Sequence, residues 1–404
     1  MYLELFSVIW SLIIIESFSV KNFRSIKHEQ TISFLANNKI QGSSDTYVLN
    51  KISDSVSLLK FCILYGYNAS GKTNILRALD FLRSLVVDGT TGSDTGTGFE
   101  PFTLDETTTQ EPGTFSLTFY IERIRYTYRV IVDKKHFISE ELTYQPMGRK
   151  ALLFRRTHDE GTHISTVEFG TKCGLSAKER ATLSGNTVDT ISTLFAYQKS
   201  NIHSVELELV VAYFNHVLKP VVTPNTSVEI WTGRVGQSEM IPLSNILLQR
   251  SGLHIEGVRV SEKNPAPVFQ HRTSLGFHSL PFDEESQGTL RYLGLGTTML
   301  DGGVIPIDEL EASLHPDLVA FLLQMFLLNT TGSQIIATTH NQSLMELDFM
   351  RNDMIWLCEK DEDGASEYYS VQEFGLHKRI SIGNAYRAGK LGAKPYLGDP
   401  TIQL

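Results

Sequence analysis

Short apolar runs bounded by polar turns mark the first and last thirds of the chain, and apolar residues at three- and four-residue spacing mark its middle. Residues 14–20 (IIESFSV) alternate as a half-buried strand does, and 21–25 turn away from it. Residues 31–35 predict a second short strand, 39–57 a polar loop or short strands, and 61–64 (FCIL) a buried strand. Apolar positions at Ile75, Leu76, Ala78, Leu79 and Leu82 then fit one face of a helix. Residues 88–98 (DGTTGSDTGTG) have almost nothing to bury and read as a surface loop. The β-branched and aromatic stretch 114–132 predicts a hairpin or meander, and 151–170 further strands.

From Ser176 the period changes. Ala177, Leu183, Ile191, Leu194, Phe195, Val205, Leu209, Val210 and Phe214 fit helical spacing, continued by 243–253. No heptad array is sustained there, so a compact lid without coiled-coil arms is expected. The last third returns to α/β order, with strands at 304–307, 334–339, 354–359 and 367–372 and helices at 316–328 and 341–347. The acids of 361–364 (DEDG) read as the turn between the last two strands and not as a metal cluster. The pattern predicts an α/β fold in three parts: residues 1–170, a mainly helical insertion over 171–260, and 261–404.

Composition adds constraints. At 404 residues the chain can bury a large core, and its formal charge of −9 gives no global support for nucleic-acid binding. Cys62, Cys173 and Cys358 lie far apart, which argues against a zinc site or a disulfide framework. Residues 5–15 (LFSVIWSLIII) are too short for a membrane span, which takes about twenty residues, and lack the flanks of a signal peptide. They read as an apolar extension of the first strand, and the cytoplasm is the expected compartment, with no membrane partner.

Four stretches carry chemistry. Between the strand at 61–64 and its following helix lies Gly66-x-x-x-x-Gly71-Lys72-Thr73, a phosphate-binding loop in the strand–loop–helix setting that such a loop requires. Its backbone N–H groups, from Gly66 through Asn68, Ala69, Ser70 and Gly71 to Asn74, would wrap an anion at a helix start. Lys72 would reach the terminal phosphates and the Thr73 hydroxyl would bind Mg²⁺. The apolar strand 303–307 ends in Asp308 and Glu309: the aspartate is suited to hold Mg²⁺, the glutamate to polarise a water for in-line attack. His340 follows the strand IIATT, where its ring would hydrogen-bond a terminal phosphate. Upstream, Ser286, Gly288 and Thr289 open another helix, a second anion-binding helix start.

In that order the four stretches resemble the Walker A, signature, Walker B and H-loop series of ABC-class ATPases. The wording "KNFRSI", "YGYNASGKTNIL", "DELEASLHP" and "IIATTHN" resembles the SMC, RecF and OLD branch, and within it the stand-alone prokaryotic AAA-type ATPases allied to OLD, often found in antiphage defence and abortive-infection operons. The resemblance implies an ABC-type P-loop head, with an N-terminal antiparallel β region and a helical lid, that dimerises head to tail around two ATP molecules. In such a sandwich Lys72 and Thr73 of one copy and Ser286 of the other grip one nucleotide, with Asp308, Glu309 and His340 completing the hydrolytic site; a higher oligomer is compatible with it. The resemblance also places Asn22, Phe23 and Arg24 near the nucleotide. Two departures stand out: the signature reads SQGT, and the family's Q-loop glutamine has no clear counterpart, Gln110 being a candidate in a polar loop.

The expected activity is ATP hydrolysis by a switch that controls a separate effector, a nuclease or toxin, because the chain to Leu404 shows the ATPase parts and no nuclease-like acidic cluster. A RecF-like DNA-binding repair ATPase is the alternative; Arg123, Arg125 and Arg129 or Lys134 and Lys135 would supply its basic groove. A transporter nucleotide-binding subunit fits less well, given the long insertion.

Overall fold

The computed structural model describes residues 12–395 and 398, apart from 41, 90–95, 160, 163, 238, 262–263 and 377–379. Most of the apolar extension over 5–15, and the centre of the loop over 88–98, therefore lie outside the described residues.

Two sheets sandwich the helix that follows the phosphate-binding loop. The first strand, β1 (Ile13–Lys21), pairs with β2 (Gln30–Ser33), and β3 (Leu49–Lys51) and β4 (Ser57–Leu59) form a small separate ribbon. Next come β5 (Phe61–Tyr65), buried along its whole length, and α1 (Lys72–Val87), which buries Ile75, Leu76, Leu79, Leu82 and Val86. Each such side chain removed from water contributes about 1.5–3 kcal/mol. Strands β6 (Gly113–Ile121), β7 (Ile124–Val132), β8 (Phe137–Gln145), β9 (Ala151–Asp159) and β10 (Ile164–Phe169) then run as an antiparallel meander. Its sheet has the order β10-β9-β8-β7-β6-β1-β2.

The middle of the chain is helical: α2 (Ala177–Asn186), α3 (Thr193–Gln198), α4 (Val205–Ala212), α5 (Pro224–Arg234) and α6 (Met240–Arg250). Serine or threonine caps α2 to α5, each side chain accepting a first-turn N–H. Helix α1, at 16 residues, is the longest among the described residues, so no long arm projects from them. The helical pattern ends at Arg250. Strands β11 (Ile255–Ser261), β12 (Asn264–Thr273) and β13 (Gly276–Pro281) then form a three-stranded antiparallel sheet that the sequence pattern does not announce.

After it come α7 (Gln287–Asp301), β14 (Val304–Ile307), α8 (Pro316–Asn329), β15 (Gln334–Thr338), β16 (Ile355–Lys360), β17 (Ser366–Ser370) and α9 (Ile382–Arg387). The helix expected over 341–347 is a 3-10 segment, Gln342–Glu346, because Asn341 takes an extended conformation and caps the turn. The expected strand at 367–372 ends earlier, where Ser370 caps a second 3-10 segment, Val371–Phe374.

The second sheet has the order β14-β15-β5-β16-β17, parallel except for its last pair. The acid-bearing β14 is therefore not beside β5; β15 lies between them. The mixed α/β class and the N-terminal antiparallel region are as expected. A buried amide joins the two sheets: Gln334 donates to the carbonyls of Ile15 and Leu59 at 2.9 and 3.0 Å and accepts from the Ile15 N–H at 2.6 Å. With every polar atom partnered, such a group orders the core where an unpaired one would weaken it.

Candidate functional site

The loop at the C-terminal end of β5 is shaped by close contact with β16. Gly66 is buried, and a Cβ on it would lie 2.3 Å from the Cys358 carbonyl oxygen, a space only glycine fits. Ala69 has φ 66° and Gly71, the N-cap of α1, φ 111°; these left-handed residues curl the loop back on itself. Its outer wall is the hairpin β16–β17. The Ser70 carbonyl accepts from Ser366 Oγ at 2.6 Å and Cys358 Sγ at 3.3 Å, and the Gly71 carbonyl from Tyr368 Oη at 2.7 Å. Burial pushes the Cys358 thiol up to about 12, so it stays a neutral donor.

The hairpin thus holds the Ser70 and Gly71 carbonyls, whereas those of Gly66 and Tyr67 face Lys72. Lys72 is buried and its Nζ donates to the carbonyls of Gly66 and Tyr67 at 3.0 and 3.1 Å. Burial draws its pKa down, against the pull of Cys358, Asp308, Glu311 and Glu309. Ser70 Oγ is buried without a hydrogen-bond partner among the described residues, a group that a phosphate oxygen would satisfy.

Opposite the loop stand the acids of β14. Thr73 Oγ1 donates to Asp308 Oδ1 and Oδ2 at 2.9 and 3.1 Å, across the intervening β15. Thr338, at the end of β15, donates to Asp308 Oδ1 at 2.6 Å and accepts the Glu309 N–H at 2.9 Å. Glu309 is exposed and has φ 50°, a conformation costly for a non-glycine residue and commonest at functional turns. Glu311 accepts from Thr339 Oγ1 at 2.5 Å and from the His340 N–H at 2.6 Å. The His340 ring lines an open cleft of about 390 Å³ with Gly66, Asn68, Thr339 and Tyr386. Partial desolvation, then the Lys72 charge, lower its pKa from 6.5, which favours the neutral ring.

A second cleft, of about 560 Å³, flanks the loop on its other side, lined by Arg24, Ser25, Asn74, Lys134 and Lys360. Arg24, φ 52°, pairs with Glu100 at 2.7 Å, and Asn74 donates to Ser25 Oγ at 2.6 Å. Asn22 plays a different part: it is buried, and its amide holds loop 102–112 through the carbonyls of Thr108 and Glu111 and the N–H of Phe102. Gln110 lies exposed in that loop, its amide bonded to the adjacent Thr109. Arg125 spends its guanidinium on Glu16, with contacts of 2.7 and 2.6 Å.

The structure thus brings Gly66 to Asn74, Asp308, Glu309 and His340 together. Ser286, Gly288 and Thr289 form a separate group at the start of α7. Ser286 caps that helix, accepting from the Thr289 N–H at 3.0 Å, and remains exposed together with Gln287. Its own N–H donates to Glu285, which also meets His271 at 2.8 Å. Sequence reasoning assigned no role to Ser25, Arg291, Glu311, Thr338, Ser366 or Tyr368. Two hydroxyls directly before His340 (Thr338 and Thr339) were the available signal for the β15 end.

Residues able to hold Mg²⁺ are Thr73 and Asp308, an oxygen pair of the kind this ion takes together with phosphate and water. Among the described residues no cluster of three or more His, Cys, Asp or Glu offers an all-protein metal site, and no helix is long and apolar enough to cross a membrane.

The sequence matches no curated protein. Among solved structures, the SmcHead bound to the C-winged helix domain of ScpA is similar at 13% identity and TM-score 0.44, over 92% of this chain and 99% of that one. An SMC head domain from Thermotoga maritima is similar at 14% identity and TM-score 0.43, over 88% and 98%. A family model matches residues 61–184 and 251–346, which take in the phosphate-binding loop, Ser286, both acids and His340. With more than half of its length covered by that model, the chain belongs to the P-loop ATPase family described as "AAA domain, putative AbiEii toxin, Type IV TA system".

Proposed function

We propose that this chain hydrolyses ATP, and that two copies close head to tail over two ATP molecules. The observation that carries the reading is the Thr73–Asp308 contact, which unites the loop threonine and the strand-end aspartate at one point. In this reading the loop N–H groups, Ser70 and Lys72 bind the triphosphate, and Arg24, Ser25 and Asn74 border the cleft beside it. Thr73 and Asp308 would hold Mg²⁺, which supplies charge neutralisation between the terminal phosphates. The Glu309 carboxylate takes a proton from the attacking water, and the neutral His340 ring donates to the γ-phosphate. Exposed Ser286, with Gly288 and Thr289 behind it, caps the nucleotide of the other copy.

The ATPase head is then residues 1–170 and 261–404, with 171–260 as the lid. We further propose a cytoplasmic regulator of antiphage defence whose open or closed state is read by a separate effector, a nuclease or toxin. The family description, which names a toxin–antitoxin system, supports that context.

Phosphate release by the purified protein, measured beside Lys72→Ala and Glu309→Gln, tests the reading. Turnover is expected in the parent alone, and Glu309→Gln is expected to sediment as an ATP-dependent dimer. Equal turnover in the parent and Lys72→Ala would refute it. A salt-dependent shift of duplex DNA by the ATP-bound form would favour a RecF-like role instead.

A further inference from the structure

Arg291 lies on α7 one turn beyond Ser286 and is almost completely buried, at 2% exposure. Its guanidinium donates to the Thr223 carbonyl and Ser227 Oγ, both at 2.7 Å, to the Glu309 carbonyl at 3.2 Å, and weakly to the Asp308 carbonyl at 3.4 Å. All four acceptors are neutral oxygens. Burial lowers its pKa to about 10, opposed by Glu309, Glu311 and Asp308, and it stays cationic at neutral pH. An apolar side chain of similar volume would fill such a space at less cost, so the charge points to a role beyond packing.

The acceptors define that role. Two of them are the peptide carbonyls of the two acids that end β14. The other two cap and begin α5, the helix that enters the site from the middle of the chain. That entry is itself locked to β14: Val222 pairs with Ile307, and its carbonyl accepts the Asp308 N–H at 2.9 Å. A second contact joins α7 to the acid turn independently of Arg291. A Cβ on Gly288 would lie 2.9 Å from the Ser313 carbonyl oxygen, so the start of α7 rests on the backbone just beyond Glu311. Movement at Ser286 therefore has a direct mechanical route to the peptide planes on which Glu309 is mounted.

We propose that Arg291 is a positioning residue, a strut that converts engagement of Ser286 by the triphosphate of a second copy into placement of Glu309 against the attacking water. The inference rests on the closed-pair reading above and deepens it. Glu309 is exposed and held at φ 50°, so its carboxylate depends on a fixed backbone for its aim. A misplacement of about 1 Å in such a group costs on the order of a hundredfold in rate.

Arg291→Lys tests this, because an ammonium keeps the charge but lacks the fork needed to span both pairs of acceptors. Three measurements are made: steady-state ATP turnover, thermal unfolding, and ATP-driven pairing of Glu309→Gln with and without Arg291→Lys. The expected result is a kcat lower on the order of a hundredfold, KM within about twofold, and pairing retained. Should Arg291→Lys fail to fold, Ser227→Ala, which removes one acceptor and keeps the guanidinium, goes through the same assays with kcat expected about threefold lower or more. Unchanged kcat in the folded variant overturns the proposal. Loss of pairing in the double variant also overturns it, by assigning Arg291 to the shape of the signature itself. A parent without ATP turnover would instead defeat the underlying reading, and that is seen before any Arg291 variant is made.

Discussion

The His340 N–H donates to Glu311 Oε1 at 2.6 Å, and Thr339 Oγ1 donates to the other oxygen of the same carboxylate. One side chain thus fastens the end of β15 to the turn that follows β14. Glu311→Ala leaves both donors without that acceptor, and a lost bond to a charged group of this kind costs about 1–3 kcal/mol. The expected outcome is a lower urea midpoint together with reduced ATP turnover, with Glu311→Gln in between. A Glu311→Ala protein as stable and as active as the parent would remove Glu311 from the site.

Gly66→Ala is expected to damage the phosphate-binding loop without removing any side chain, and its methyl would also crowd Ser70 Oγ, 2.7 Å away. The added methyl would sit 2.3 Å from the Cys358 carbonyl, which belongs to β16 and cannot rotate away. Overpacking against backbone costs about 1–3 kcal/mol, and displacement of the loop should abolish nucleotide binding. Isothermal titration with a nonhydrolysable ATP analogue checks this; retained affinity would show that the loop can move outward freely.

The pH dependence of His340 has a defined sign. Partial desolvation and the Lys72 charge hold its folded pKa below the ordinary 6.5, so the native state binds fewer protons there than the unfolded chain. Its contribution to stability is present above pH 6.5 and is lost as pH falls through the folded value. NMR titration should give a midpoint below 6.5, and Lys72→Met, which removes the second cause, should raise it. A midpoint at or above 6.5 in the parent contradicts the charge balance described.

Arg351 joins the loop after β2 to the start of β16. It is 5% exposed, donates to Asp353 Oδ1 and Oδ2 at 3.0 and 2.8 Å and to Asp45 Oδ1 at 2.5 Å, and also holds the carbonyls of Asn37 and Ile40. Arg351→Ala strands Asp353, 1% exposed, without its counter-ion, and such a loss costs about 3–5 kcal/mol. Denaturant unfolding should show this directly, and Arg351→Met with Asp353→Leu should recover most of it. No recovery would mean that the bonds to Asn37 and Ile40 matter more than the ion pair.

Much of the site was legible because its chemistry sits in contiguous words: a glycine-bounded loop, two acids at a strand end, a histidine after another strand. The strand order was not, because nothing local to 304–307 or 334–338 says that β15 enters between β5 and β14. Strand β8 was masked by Glu140, a fully buried acid whose oxygens accept from Tyr128 Oη and the Thr193 N–H, each at 2.8 Å. The β11–β13 sheet gave only a weak signal: its buried apolar side chains are few, among them Ile255, Val258 and Phe269, while β13 is exposed along nearly its whole length and β12 contains two prolines. Helix α5 was hidden likewise, since among its residues only Ser227 and Trp231 are buried. Arg291 left no signature, for its partners are three carbonyls, which every sequence has, and one serine hydroxyl.

The wall of the phosphate-binding loop lies far along the chain from the loop itself: Cys358 Sγ meets the Ser70 carbonyl across a separation of 288 residues. During synthesis the ribosome releases the loop long before Cys358, Ser366 and Tyr368 exist to hold the Ser70 and Gly71 carbonyls. The growing polypeptide then carries the motif without the cradle. In the proposed reading, competence to hold a nucleotide would arrive late, when the β16–β17 hairpin emerges and closes the wall of the loop.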